Sequence, residues 1–152
     1  MVARVDELDL RIRNEVYSSF VSTAHAPAPA DVADRLGLDE EEVAEAYRRL
    51  HDAHALVLEP HSIRIRMLNP FSAVPTPHRV EAGGRSWFAN CAWDALGIPA
   101  ALHSHGAVRS QCPDCADPLE LEVRGGELVR GADLLVHFVV PARRWWNDIG
   151  FT

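Results

Sequence analysis

Leu8, Ile12, Val16 and Phe20 stand at every fourth position, so residues 6–23 read as one amphipathic helix, and the chain later abandons this spacing. Ala24-His25-Ala26-Pro27-Ala28-Pro29-Ala30 interrupts it. Asp31 then precedes a short helix over residues 32–36 that Gly37 closes, and residues 40–54 place Val43, Ala46, Tyr47 and Leu50 on one helical face. From Leu56 onward the pattern alternates: Leu56-Val57-Leu58 and Ile63-Arg64-Ile65-Arg66-Met67 flank Pro60-His61-Ser62 as two wing strands would. A chain whose apolar period changes in this way is expected to be α+β. Residues 1–68 are read as a winged-helix-like helical unit.

Residues 69–77, rich in Pro and Ser, form the expected linker, and residues 69–152 are read as a small mixed or antiparallel sheet domain with helices. Gly83-Gly84 and Gly125-Gly126 each sit between short alternating segments, the signal of two hairpins. Residues 133–140 read as a buried strand that Pro141 ends. A length of 152 residues permits one sizeable core or two small ones.

The segment with the most chemistry in it is Trp87-Phe88-Ala89-Asn90-Cys91-Ala92-Trp93-Asp94-Ala95-Leu96-Gly97-Ile98-Pro99. With Asn90 as the helix cap, Cys91 is the first helical residue, beside backbone N–H groups that favour a thiolate. Asp94 lies three residues on, on the same face, so a soft nucleophile and a proton carrier can meet. A plainer reading also fits. An Asp in a first helical turn is favoured by the dipole alone, and a Cys among Trp, Phe and Ala is often a small buried hydrophobe.

Thr76-Pro77-His78-Arg79, Gly84-Arg85 and the run from Asn90 to Pro99 together resemble the signature of the alkylmercury lyases, in the same order. Val108-Arg109-Ser110-Gln111-Cys112 and Pro118-Leu119-Glu120-Leu121-Glu122-Val123 resemble the part of that family where a structural Cys precedes a strand. The likeness runs from about Leu8 to the end and is strongest between Thr76 and Val123. It implies an enzyme that cleaves carbon–mercury bonds by protonolysis, giving hydrocarbon and Hg(II). Cys91 would attack mercury and Asp94 would relay the proton. The implied partners are an organomercurial small molecule and low-molecular-weight thiols, with no organic cofactor and mercury as substrate. The sequence departs from the family at one point, the second catalytic cysteine. Only Cys112 and Cys115 follow Cys91; Cys112 matches the structural position and Cys115 matches none. Alignment through Val136-His137-Phe138 puts Asp133 or a neighbour where that thiol belongs. The alternative, through the closing Trp145-Trp146-Asn147-Asp148-Ile149-Gly150-Phe151-Thr152, stops just before it. On either alignment the chain reads as a shortened relative, with turnover impaired by the missing thiol.

Charge narrows the partners further. All fifteen basic residues are Arg and the net charge is −7, which disfavours nucleic acid and anionic membrane. The second helix of the helix-turn-helix pattern would present Asp39, Glu40, Glu41 and Glu42 to phosphates, and residues 1–59 hold thirteen acidic residues against six Arg. DNA binding is therefore not expected. No apolar run reaches the roughly 18 residues of a spanning helix and the start lacks the apolar core of a signal peptide, so the expected location is the cytoplasm. Three cysteines suit reduced thiols or metal better than disulfides.

Cys112-Pro113-Asp114-Cys115 has the spacing of half a structural zinc site, with His103 and His105 as candidate further ligands; ordinary loop residues are the other reading. A competing function makes Cys91, Cys112 and Cys115 a soft-metal sensor without lyase turnover. Trp145-Trp146 after Arg143-Arg144 suits a cation–π surface or, better, the closure of a core.

Overall fold

The structure is a computed structural model that describes residues 5–150. The chain divides into two compact units, 1–75 and 76–152, each with its own helices and antiparallel strands, so the protein is α+β. The division falls inside the Pro-rich stretch rather than at its start.

In the first unit, α1 (Glu7–Thr23) begins at a reciprocal cap: Asp6 accepts from the Asp9 N–H at 2.8 Å and Asp9 accepts from the Asp6 N–H at 3.3 Å. Ile12, Val16 and Phe20 are buried, as their spacing requires. α2 (Pro29–Leu36) starts earlier than Asp31, because Pro29 takes the first helical position and the Asp31 carboxylate reaches back to the Ala28 N–H at 2.9 Å. Asp39 caps α3 (Glu40–Asp52), whose Val43, Ala46, Tyr47 and Leu50 are buried. Asp9 is also fully buried, and Arg49 on α3 meets it in three hydrogen bonds of 2.7 to 3.2 Å. Three short strands follow, β1 (Val57–Leu58), β2 (Ile65–Leu68) and β3 (Phe71–Ser72), paired antiparallel in that order. Among the described residues no helix is long and apolar enough to cross a membrane.

The second unit contains β4 (Arg79–Ala82), β5 (Arg85–Ala89), α4 (Ala92–Ala101), β6 (Gly106–Gln111), β7 (Pro118–Arg124), β8 (Glu127–Arg130) and a closing 3-10 helix (Ala142–Asn147). Its strands lie antiparallel in the order β5-β4-β6-β7-β8. Both expected hairpins form. Gly83, Gly84, Gly125 and Gly126 all have positive φ, which a tight two-residue turn between twisted strands demands. α4 packs on β4, β5 and β6 over a core of Val80, Trp87, Ala89, Ala95, Ile98 and Val108.

Residues 133–140 are not a buried strand. After β8 the chain turns at Gly131 (φ 83), Leu134 donates back to the Gly131 carbonyl at 3.1 Å, and Leu135 and Val139 are 95% and 74% exposed. An unbroken apolar run carries no period of its own, and here the turn at Gly131 takes it out of the ladder. Trp145 and Trp146 are half-buried rather than core.

Gly106 marks where α4 comes closest to the sheet: a Cβ there would overlap the Pro99 ring, meeting its Cβ at 3.0 Å. Gly106→Ala should therefore destabilise the chain by about 1–3 kcal/mol, the usual penalty for overpacking a rigid contact. Ala107→Ser, on the exposed neighbour, should stay within about 0.5 kcal/mol. Urea unfolding of the two variants decides, and equal stabilities would remove the close approach from the account.

Candidate active site

The site begins with how β5 ends. Thr76 Oγ1 donates to the Ala89 carbonyl at 2.6 Å and accepts from the His78 N–H at 3.2 Å, while the Ala89 N–H donates to the His78 carbonyl at 2.9 Å. His78 Nδ1 lies 2.7 Å from Ser110 Oγ on β6. Burial lowers the His78 pKa, so the ring is neutral at pH 7 and serves as a fixed hydrogen-bonding strut. The Thr-Pro-His motif thus sets the point at which β5 hands over to α4. Its sequence signal was the motif itself; the role of Thr76 was not visible until the strand ends were paired.

At that point Cys91, not Asn90, is the N-cap of α4. Its backbone is extended (φ −148, ψ 178) and its Sγ accepts from the Asp94 N–H at 3.4 Å. Cys-x-x-Asp has the spacing of a capping box, and the thiol occupies the place usually held by a hydroxyl. Asn90 lies one residue outside the helix and instead donates through Nδ2 to Asp94 Oδ2 at 3.2 Å. The Asp94 carboxyl is therefore held between the Asn90 amide and the Cys91 thiol.

Burial works against the thiolate that the helix start favours. Removal from water pushes the Cys91 thiol up; the N–H groups of Asp94 and Trp93 pull it down, but the Asp94 charge and its hydrogen bond to the thiol push the same way as burial. The thiol donates toward the Asp94 carboxyl, and burial favours its protonated form. Burial also raises the Asp94 carboxyl, against the stabilising bonds from Asn90 and Cys91. Such an arrangement can pass one proton from sulfur to carboxylate when something soft replaces it on sulfur.

The other sequence candidates lie on other elements of the unit. Cys112 is half-buried and Cys115 exposed, both on the turn from β6 to β7. His105 precedes β6 and accepts from the Gly125 N–H at 3.1 Å, whereas Cys112 follows β6. Six residues of strand separate those ends by roughly 20 Å, so His103 and His105 cannot complete a zinc site with the two thiols. Among the described residues no group of three or more His, Cys, Asp or Glu side chains is placed to hold a metal ion, which also leaves Cys91 outside any three-thiol clasp. The alignment that would place Asp133 at the second thiol puts it in the exposed turn after β8, and Phe151 and Thr152 lie outside the described residues. An aromatic group that the sequence did not announce borders the helix start. Trp93, 60% exposed, meets Phe138 edge-on at 6.4 Å, and Phe138 packs on Trp145 at 5.1 Å.

The two kinds of thiol should be separable by pH. N–H groups of Cys115 and Asp114 lower the Cys112 pKa, so iodoacetamide should modify it before Cys91 as pH rises. Cys91 should lag until pH exceeds about 8.5, the unperturbed thiol value. Peptide mapping by mass spectrometry gives both rates, and equal modification of Cys91 and Cys112 at neutral pH would contradict a half-buried Cys91 whose pKa is raised.

The structure is similar to one described as "Crystal structure of the mercury-bound form of MerB2", with a TM-score of 0.69 and 24% sequence identity, a likeness of fold. The alignment covers 85% of this chain and 62% of that one, so this chain spans less than two thirds of its relative's length. No curated protein matches. The sequence model of one family, MerB, alkylmercury lyase, matches residues 71–152, which is more than half of the chain and includes Cys91, Asp94 and Cys112. The chain belongs to the alkylmercury lyase family.

Proposed function

We propose that the protein cleaves carbon–mercury bonds by protonolysis, with Cys91 as the mercury-binding nucleophile and Asp94 as the proton relay. The observation that carries this reading is the contact of the two groups: a half-buried thiol caps α4 by accepting from the Asp94 N–H and donates to the Asp94 carboxyl, inside the segment matched to the family. An organomercurial cation R–Hg⁺ displaces the proton on Cys91 sulfur, because a soft metal prefers a soft ligand. An S–Hg bond forms, the S–H bond breaks, and the proton passes to the Asp94 carboxylate. Asp94 then returns that proton to the carbon as the C–Hg bond breaks. R–H leaves, and Hg(II) remains on sulfur with the carboxylate as counter-charge. The raised Asp94 carboxyl suits both steps, since a group that takes up and returns a proton works best when its pKa moves toward the operating pH.

Release of Hg(II) requires another thiol. Cys91 supplies one, and small cellular thiols are read as the acceptors, with the reduced cytoplasm as the working compartment. The winged-helix-like first unit is read as a packing unit; its α3 begins with Asp39 and exposed Glu40, Glu41 and Glu42, a poor surface for phosphates.

Cys91→Ser should abolish mercury capture, since a hydroxyl is a weak ligand for mercury. Asp94→Asn should leave capture intact and slow cleavage by about 10²-fold or more, the ordinary weight of a positioned acid. Each variant is incubated with phenylmercury and excess small thiol, and benzene and protein-bound mercury are measured. Benzene at the no-protein rate in the unaltered chain would contradict the lyase reading, and undiminished cleavage by Asp94→Asn would remove the proton role from Asp94.

A further inference from the structure

The turn between β6 and β7 carries two thiols that the proposed reaction does not use. The Cys112 N–H donates to the Asp117 carbonyl at 2.9 Å, and the Ala116 N–H donates back to the Cys112 carbonyl at 3.0 Å. Gln111 Nε2 donates to the Ala116 carbonyl at 3.0 Å. Ala116 has φ 60, a left-handed conformation that an alanine adopts only where its surroundings impose it. This tight closure brings the sulfurs of Cys112 and Cys115 within hydrogen-bonding reach of each other, with the N–H groups of Cys115 and Asp114 facing Cys112 Sγ.

We propose that this turn is a two-thiolate clasp for a divalent, thiophilic d¹⁰ ion, Hg(II) in preference to Zn(II). Ligand number decides between them. Structural zinc takes four ligands; the Asp117 carboxylate accepts from the Cys115 thiol, yet no group of three or more His, Cys, Asp or Glu among the described residues is placed to hold a metal ion. Hg(II) is content with two thiolates in a near-linear arrangement. Charge permits either divalent ion, since two thiolates balance it and Asp114 and Asp117 keep the turn anionic, so ligand number alone decides. On binding, two S–H bonds break, two S–Hg bonds form, two protons go to the buffer and no electron is transferred. The clasp needs no carbon–mercury cleavage, so it stands or falls apart from the lyase reading.

The test titrates mercuric chloride into the full chain and into Cys91→Ala, alone and combined with Cys112→Ser or Cys115→Ser, against a competing small monothiol. Native mass spectrometry counts the ions and a pH indicator counts released protons. The Cys91→Ala chain should keep one Hg(II) with two protons released, and should hold it about 10²-fold more tightly against the monothiol than either double variant, the advantage of a second thiol already in place. Excess zinc should not displace it. Equal retention by the double variants, one mercury bridging two chains, or displacement by zinc would each overturn the clasp. Benzene release, measured on the same samples, reports separately on the lyase reaction.

Discussion

The second unit depends on how closely α4 can approach its sheet. Ala95 and Ile98 are buried against β4, β5 and β6, and Pro99 rests over Gly106, where any side chain would hold the helix away. That contact fixes the far end of α4; the Thr76 and His78 hydrogen bonds fix the strand end that leads into it. Between the two, the helix start has little freedom, and Cys91 and Asp94 occupy it. Protonation follows from that placement. A helix cap in water would favour a thiolate, but the same cap half-buried beside a carboxyl has its thiol pKa raised.

Burial favours the protonated form of Cys91, and a soft metal could still displace that proton because it prefers a sulfur ligand. Cys112, half-buried like Cys91, and the exposed Cys115 lie on the turn from β6 to β7, where N–H groups of Cys115 and Asp114 lower the Cys112 pKa while burial raises that of Cys91.

Local patterns in the sequence were legible where the residues concerned lie close together in the chain. The spacing of Ile12, Val16 and Phe20 and of Val43, Tyr47 and Leu50 announced α1 and α3, and paired glycines announced both hairpins. Cys91 and Asp94 were found because three residues of helix bring them together by rule. What depended on burial or on distant pairing was hidden. The direction of the Cys91 shift turns on how much water α4 excludes, which no local pattern encodes. His103 and His105 looked near Cys112 in sequence but stand at the other end of β6. Asn90 was a plausible cap, and only the geometry showed that the Cys-x-x-Asp spacing itself supplies one. The Asp9–Arg49 pair joins residues forty positions apart. Residues 133–140 were misread because a continuous apolar run says nothing about which edge, if any, it joins.

The central claim is that mercury binding moves one proton from Cys91 to Asp94, and infrared difference spectroscopy tests it most directly. Spectra of the chain before and after addition of a slowly cleaved organomercurial, with ¹³C-labelled aspartate to identify carboxyl bands, would follow both partners at once. The account predicts loss of a thiol S–H band and gain of a protonated carboxyl band that shifts with the label and is absent from Asp94→Asn. A spectrum in which Cys91 carries no S–H before mercury is added, or in which Asp94 stays ionised afterwards, would contradict it.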